Sequence, residues 1–416
     1  MILNAIKIAL KVLARRKFFT FISLFGTSFT LIVLVVVAAL LDIFIRPGGP
    51  ERNMPRMLGL YQCVMKSEGG NSTWSGSPGY RFLSRHVKTM QSPEKITIFS
   101  SHNTVSIYEG TDKYNIGLRH TDATYWEVLD FRFIEGVPFD AHHEQQASQV
   151  AVINQQTKER FFGSGSALGE TIEIDGQTFE VIGVVENVPA TNRSAYADVW
   201  VPIPTKKNRD YLDAMMGGFN ALLLARSRSD FPAIKREYAA VLQQIDWPDP
   251  HGDFEMLGGV DTPLEVMARK FFNETEEGEV STGVLTAVMS LAALIFMLLP
   301  SMNLTNINLS RIMERASEIG IRKSFGANSR HLVLQFVIEN LVLTAIAGLI
   351  GFLGAYVILW SITQSDLFAY ATFSPNFRVF AAGLLLILVF GTMSGVYPAW
   401  KMARMHPVYA LKGGQS

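Results

Sequence analysis

The chain has 416 residues and a formal net charge of zero, with 37 basic and 37 acidic residues. A balanced charge gives no indication of a nucleic-acid partner, and the basic residues instead cluster beside long apolar runs, as in membrane proteins. The single cysteine, Cys63, excludes an intramolecular disulfide and a zinc site built from several cysteines, and is predicted to be a partly buried apolar side chain.

The first 44 residues predict a membrane-surface helix followed by a first membrane span. Residues 1–17 contain basic but no acidic side chains, with apolar residues at helical spacing, and are predicted to lie on the inner leaflet as a cytoplasmic amphipathic helix. Residues 18–44 form the predicted first transmembrane helix, because the uncharged run 18–41 is too long for a signal peptide. Basic charge before this span indicates a cytoplasmic N-terminus.

Residues 45–279 have the mixed polarity of a folded extracytoplasmic domain, which we predict to be α+β. Short alternating runs predict strands at 95–99, 105–108, 150–153, 171–174 and 178–185. A hairpin turn is expected at Asp175-Gly176-Gln177, because glycine adopts positive φ readily. Helices are predicted at 80–90, 121–129, 154–162 and 230–245.

The remainder of the chain predicts three further spans. These are residues 280–310, 332–360 and 377–400, separated by a charged cytoplasmic loop at 311–331 and a short extracytoplasmic loop at 361–376, with a cytoplasmic tail at 401–416. Basic residues are concentrated in the N-terminal segment, the charged loop and the tail, which places both termini in the cytoplasm. The predicted fold is an α-helical membrane protein with four transmembrane helices (1+3) and an α+β domain inserted between the first two.

Two features of the third span leave alternatives open. Gly348, Gly351 and Gly354 either form a helix-pairing face or reflect the ordinary tolerance of membrane helices for glycine. Glu339 is expected to face protein or reach the inner interface, because a lipid-facing charge costs several kcal/mol. Its preferred interpretation is an ion pair with the basic residues Arg322, Lys323 or Arg330; a proton-relay role is the alternative.

The segment 303–326, here called the charged loop segment, is the sequence's main candidate for an interaction site. Glu318 lies three residues after Arg315 and four before Arg322, so one helical face can pair these charges. Exposed pairs add little stability, which favours a short helix presented to a cytoplasmic partner. The alternative is a basic loop that only sets membrane topology.

Three stretches resemble the MacB/FtsX-type ABC transporter permeases. They are the charged loop segment with its EIGIRK motif (318–323), the C-terminal GVYPAWKMARMHPVYALK (395–412), and residues 123–139 with 150–189, which are similar to a MacB-like periplasmic core domain. The opening residues 6–26 are similar as well, whereas 46–92 and 204–279 match nothing in the family pattern. The resemblance implies that the charged loop segment contains the helix that couples to the ATPase, with the candidate coupling residues Glu314, Arg315, Glu318, Ile319, Gly320, Arg322 and Lys323.

ATP is expected to bind elsewhere. The chain contains no Gly-x-x-x-x-Gly-Lys-Ser/Thr phosphate loop, so the resemblance points to a permease subunit without a fused ATPase domain, and ATP with Mg is expected in a partner subunit. No catalytic, cofactor or metal site is predicted in this chain. His142-His143-Glu144 is interpreted as a solvated loop rather than a metal site, because no further ligands are evident.

The expected function is therefore that of an ABC transporter permease in the bacterial cytoplasmic (inner) membrane, coupling a separate ATPase to efflux or extraction of an extracytoplasmic substrate. The resemblance implies a homodimer or a heterodimer with a second permease, contact with membrane lipids, and a possible periplasmic adaptor. One alternative is an FtsX-like signal transmitter that controls a cell-wall enzyme. A membrane-anchored enzyme is a weaker alternative, because no nucleophile or metal constellation is evident in residues 45–279.

Overall fold

The structure is a computed structural model that describes residues 7, 10–11, 13–15, 17–45, 48–67, 73–109, 112–245, 254–272, 280–295, 329–365, 369–385 and 387–389. The chain divides into two compact units. A helical unit comprises Met1–Leu41, Thr286–Asp366 and Thr372–Ser416, and an α+β unit comprises Asp42–Leu285 with the short segment Leu367–Ala371. The α+β unit is thus completed by five residues that follow the rest of it by more than eighty positions.

The α+β unit is built on a ten-stranded sheet. Its path is β1-β12-β4-β6-β11-β8-β10-β7, with β5 paired to β6 and β9 paired to β10. The pairs β11–β6 and β10–β8 are parallel, and the other pairs are antiparallel. The strands are β1 (Met57–Leu60), β4 (Lys95–Ser100), β5 (Asn103–Glu109), β6 (Asp112–Thr121), β7 (Phe133–Gly136), β8 (Val150–Asn154), β9 (Thr171–Ile174), β10 (Gln177–Val185), β11 (Val199–Pro202) and β12 (Phe219–Leu224).

A second, three-stranded antiparallel sheet has the order β13-β2-β3, where β2 is Cys63–Ser67, β3 is Thr73–Gly76 and β13 is Phe254–Leu257. Cys63 is fully buried, and burial raises the pKa of its thiol to about 12. The predicted interpretation of Cys63 as an unreactive packing residue is therefore confirmed, with the side chain more deeply buried than expected.

Strands of the large sheet bury both faces, because alternate side chains enter different cores. Along β4, Ile96 and Ile98 pack with Phe82 and Tyr238 on one face, whereas Phe99 packs with Trp200 and its neighbours on the other. A third cluster fills the opposite end of the sheet around Ile153, Phe179 and Val201. Such uniformly apolar strands are typical of a sheet covered on both sides.

The helices of the α+β unit are short. They are α2 (Tyr80–Phe82, continuing as a π-helical turn Leu83–Val87), α3 (Tyr125–Val128), α4 (Ala141–Gln145), α5 (Gln155–Phe162), α6 (Phe231–Gln243) and α7 (Pro263–Phe272). The predicted loop at His142-His143-Glu144 is wrong: these residues form α4, because the Asp140 carboxylate caps the helix by accepting hydrogen bonds from the backbone N–H groups of His142 and His143.

The helical unit contains two helices long and apolar enough to cross a membrane. Within α1 (Lys17–Ile45) the apolar stretch is Thr20–Asp42, and within α9 (Ser329–Thr363) it is Val337–Thr363. Two shorter apolar helices, α8 (Thr282–Ile295) and α10 (Phe377–Val389), lie where the second and fourth spans are predicted. The structure therefore supports an α+β domain between two apolar helices, while the count of four spans stays a prediction.

Candidate functional site

The predicted ATPase-coupling residues, Glu314 to Lys323, lie outside the described residues. Glu339 lies in α9 and is 4% exposed, so it faces protein. Its predicted pairing with Arg322, Lys323 or Arg330 stays a prediction, because none of those side chains is among the described ones.

Small residues of α9 form a helix-pairing face, which resolves one alternative left open by the sequence. The Ser28 hydroxyl of α1 donates a hydrogen bond to the Ala347 carbonyl at 3.0 Å. A Cβ at Gly351 would lie 2.9 Å from the Leu31 Cβ, and one at Gly354 would lie 2.6 Å from the Ile32 Cδ1. The two helices approach so closely that Gly351 has no room for a side chain.

The α+β unit contains a second candidate site, which the sequence did not reveal. Residues 189–198, here called the anchor loop, connect β10 to β11. The loop is compact, since Asn192 N–H donates to the Pro189 carbonyl and Ala195 N–H donates to the Asn192 carbonyl. Most of its side chains are buried, including Asn192, Ser194 and Asp198. A buried loop needs partners for its backbone polar groups, and they come from several distant segments.

The segment that follows α1 binds the anchor loop from one side. The Glu51 carboxylate accepts hydrogen bonds from the backbone N–H groups of Ser194 and Ala195 at 2.7 and 3.0 Å. The Asn192 side-chain amide donates to the Gly48 carbonyl at 2.6 Å. Glu51 is 2% exposed, and burial raises its pKa to about 7, although these hydrogen bonds and the charges of Arg119 and Arg193 act in the opposite direction.

The segment that follows α9 binds the same loop. Ala190 N–H donates to the Ala369 carbonyl at 2.8 Å, and the Tyr370 hydroxyl donates to the Asp198 carboxylate at 3.1 Å. Tyr370 adopts a φ of 59°, a left-handed conformation that is uncommon for an aromatic residue and that persists only where surrounding contacts hold it. Asp198 also accepts hydrogen bonds from Asn154 and from the Gly117 N–H, so its buried carboxylate is fully partnered.

The interior side of the anchor loop rests on a buried guanidinium. Arg119 of β6 is 2% exposed and donates to the carbonyls of Ser100, Arg193 and Tyr196 at 3.0–3.2 Å. Its guanidinium also lies 5.1 Å from the centre of the Phe99 ring. Burial lowers the pKa of Arg119, but an arginine so strongly bonded remains charged.

Two tyrosines complete the support of the anchor loop. The Tyr125 hydroxyl donates to the Ser194 carbonyl, and the Tyr61 hydroxyl bonds the Ser194 hydroxyl, both at 2.7 Å. The chain segments after two apolar helices therefore hold one loop whose inner side is rigidly supported. These hydrogen bonds join both segments to the β10–β11 connection.

Sequence reasoning missed this site because its parts are individually ordinary. Glu51 lies in a Gly/Pro-rich turn, and Tyr370 lies in a short loop with no motif. The sequence feature that could have indicated the site is Arg119, if β6 had been recognised as a buried strand. The polar sequence of β6 does not predict a strand, so the burial of Arg119 was not expected. Among the described residues, no group of three or more His, Cys, Asp or Glu could hold a metal ion.

Comparison with known families decides the relationship. The model of the MacB-like periplasmic core domain matches residues 20–241, more than half of the chain. The chain belongs to this family. The model of the FtsX-like permease C-terminal domain matches residues 290–407, which include the charged loop segment. The predicted resemblance to MacB/FtsX-type permeases is thus confirmed in both parts of the sequence.

Individual relatives of this MacB-like chain agree. It is 28% identical over 303 residues to the uncharacterized ABC transporter permease YknZ of Bacillus subtilis, covering 70% of each chain. It is 25% identical over 411 residues to the macrolide export ATP-binding/permease protein MacB of Wolinella succinogenes, covering 98% of this chain and 60% of the relative. The crystal structure of the periplasmic region of MacB from Actinobacillus actinomycetemcomitans aligns with 54% of this chain and 97% of that one, at 14% identity and a TM-score of 0.35.

Proposed function

We propose that this chain is the permease subunit of a MacB/FtsX-type ABC transporter, in which ATP hydrolysis by a separate cytoplasmic ATPase drives work on an extracytoplasmic substrate by efflux or extraction. The observation that carries the proposal is the succession of the two family domains along one chain, the MacB-like core at 20–241 and the FtsX-like permease domain at 290–407. The FtsX-like signal transmitter is not favoured, because the relatives are named as permeases and export proteins.

The ATPase partner attaches, in this proposal, through Glu314, Arg315, Glu318, Ile319, Gly320, Arg322 and Lys323 of the charged loop segment. Support comes from the position of these residues inside the FtsX-like match. ATP and Mg then bind to the partner, and two permease chains and two ATPase subunits form the working assembly. A periplasmic adaptor would bind to the extracytoplasmic side of this assembly.

The coupling proposal predicts the effect of charge removal in the charged loop segment. Glu318→Gln or Arg322→Gln should weaken co-purification with the ATPase and lower the ATPase rate of the reconstituted complex severalfold, because each removes a charge from the proposed attachment point. The control is Glu173→Gln, an exposed carboxylate of β9. Wild-type co-purification together with a wild-type ATPase rate in both variants would rule out this attachment point.

The membrane placement is also a proposal: four spans, both termini cytoplasmic and the α+β unit extracytoplasmic. Basic residues before the first span and in the charged loop segment support it. Cys63 makes the test simple, because its buried, high-pKa thiol should not react. A membrane-impermeant maleimide should label Lys113→Cys in spheroplasts and should label Lys412→Cys only after lysis. The reverse pattern would show that the orientation is wrong.

A further inference from the structure

A cleft of about 320 Å³ opens in the α+β unit between the three-stranded sheet and α7. Its volume lies at the lower end of the range for small-molecule sites. Its walls include the ring of Tyr61, the side chains of Val64 and Val266, and several glycines. The cleft therefore offers a mostly apolar body with polar groups at a few defined places.

The floor of the cleft is a fixed backbone bridge. Gly59 and Asp261 exchange both backbone hydrogen bonds, at 2.8 and 2.9 Å. A Cβ on Gly59 would lie 2.1 Å from the Tyr61 ring, so glycine is required for the ring to lie against the backbone. The Tyr61 hydroxyl is bonded to Ser194, which fixes the ring at its other end. The aromatic wall of the cleft is thus held in place without a ligand.

The buried charges of the cleft are already neutralised. Arg269 donates to the Asp261 carboxylate at 2.6 Å, and the two side chains are 15% and 7% exposed. A Cβ on Gly259 would lie 2.5 Å from the Arg269 guanidinium and 2.8 Å from the Asp261 carboxylate. Glycine at this position lets the ion pair form part of the wall. A ligand in the interior therefore meets a paired, neutral surface.

The mouth, in contrast, carries positive charge. Lys270 lines the cleft beside Arg269. Partial burial and the positive charge of Arg193 on the anchor loop both lower the pKa of Lys270. Within the described parts of the chain, Lys270 forms no ion pair with a carboxylate. An unpaired cation that lines an apolar cleft attracts an anion placed beside it.

We infer that this cleft binds a small organic anion, with its apolar body against Tyr61, Val64 and Val266 and its anionic group on Lys270. The cleft is separate from the proposed ATPase attachment site, so ligand binding to the cleft can be measured without ATP. A negative result would therefore leave the proposed permease function untouched.

The test uses the full chain in lipid nanodiscs and a pair of probes matched in shape. Binding of 2-naphthoate and of neutral 2-naphthamide is measured by equilibrium dialysis, with empty nanodiscs subtracted. We expect naphthoate to bind at least roughly tenfold more tightly, the difference that a charge-assisted hydrogen bond supplies. Equal affinity for the two probes would overturn the inference.

Variants locate the site. Lys270→Gln should weaken naphthoate binding by about tenfold, and Val266→Phe, which fills the apolar body of the cleft, should abolish it. Lys113→Gln, at an exposed lysine of β6, is the matched control and should leave affinity unchanged. Naphthoate should also slow acetylation of Lys270 relative to Lys113 in peptide mass spectra. Full affinity in Val266→Phe would place the probe elsewhere and overturn the inference.

The alternative to an external anion is a carboxylate of the sequence that follows α7, which contains Glu274, Glu276, Glu277 and Glu279. The double variant Glu276→Gln/Glu277→Gln distinguishes them. Unchanged naphthoate binding supports an external anion. Binding that is absent from the wild type and gained in this variant would show that the chain's own carboxylates fill the mouth, which overturns the inference.

Discussion

At the scale of single residues, Glu51 makes the α+β unit sensitive to pH. Its pKa is raised from 4.5 to about 7 by burial. Between these values the native protein holds a proton that the unfolded chain has lost, so the free energy of unfolding falls as pH rises from about 4.5 to 7. The loss is on the order of 3 kcal/mol, and above pH 7 it stays constant.

Glu51→Gln should remove this part of the pH dependence, because the amide oxygen can still accept from Ser194 and Ala195 but carries no charge. The melting temperature of the full chain in nanodiscs is measured at pH 5 and pH 8. We expect it to fall more between these values in the wild type than in the variant. Glu173→Gln serves as the control, and identical pH profiles for wild type and Glu51→Gln would contradict the prediction.

At the scale of elements, the packing of α1 against α9 depends more on Gly351 than on Gly354. A Cβ at Gly351 would contact the Leu31 Cβ and the Ser28 carbonyl oxygen, which belong to the backbone of α1 or are attached directly to it. At Gly354 it meets the flexible end of Ile32. Overpacking a rigid contact costs about 1–3 kcal/mol, whereas alanine in place of glycine favours the helix itself by up to about 1 kcal/mol.

Gly351→Ala should therefore lower the thermal stability of the purified protein, while Gly354→Ala should leave it unchanged or raise it. Both substitutions add one methyl group to the same helix, so the pair controls for helix propensity. Size-exclusion chromatography after a temperature series measures the folded fraction. An equal effect of the two substitutions would mean that the contact with Leu31 does not limit the packing.

The sequence predicted elements whose cause is local. Strands β4, β8, β9 and β10 follow from short apolar runs, and the hairpin between β9 and β10 has positive φ at both Asp175 and Gly176, as such turns require. The helix predicted at 230–245 is α6. The helix predicted at 121–129 is reduced to α3, because Thr121 belongs to β6 and is paired with Phe99.

The sequence did not predict the elements that depend on contacts between residues far apart in the chain. Strand β6 is polar in sequence and contains Arg119, which is buried because carbonyl groups from the anchor loop surround it. Strands β1 and β12 lie in stretches where the sequence showed no resemblance to the family, although the MacB-like match at 20–241 covers both. They pair with each other across more than 160 residues. Local propensity carries no information about such partners.

At the scale of the whole molecule, the anchor loop should report the state of the ATPase. Asn192→Ala combined with Tyr370→Phe removes one side-chain hydrogen bond to each adjoining segment. Each lost bond costs about 1 kcal/mol, so amide exchange at residues 190–198 should rise by roughly fivefold or more. Hydrogen-exchange mass spectrometry of the complex with its ATPase measures this change.

The same experiment tests transmission. In the wild type, ATP turnover should change the exchange rate of the anchor loop, and in the double variant this response should be lost while the ATPase rate persists. Ser106→Ala, at an exposed polar contact of β5, provides the control. An anchor loop that exchanges identically with and without ATP in the wild type would show that displacement does not pass through it.

The return of residues 369–371 to the α+β unit also governs how the protein is made. Contacts such as Ala190 to Ala369 join positions 179 apart in the chain, so they are among the last to form. During synthesis the α+β unit emerges before α9. At that stage the Ala190 N–H lacks the Ala369 carbonyl, and the Asp198 carboxylate lacks the Tyr370 hydroxyl. Completion of this unit therefore requires the segment that follows α9, and a chain truncated before residue 369 would lack its hydrogen bonds to the anchor loop.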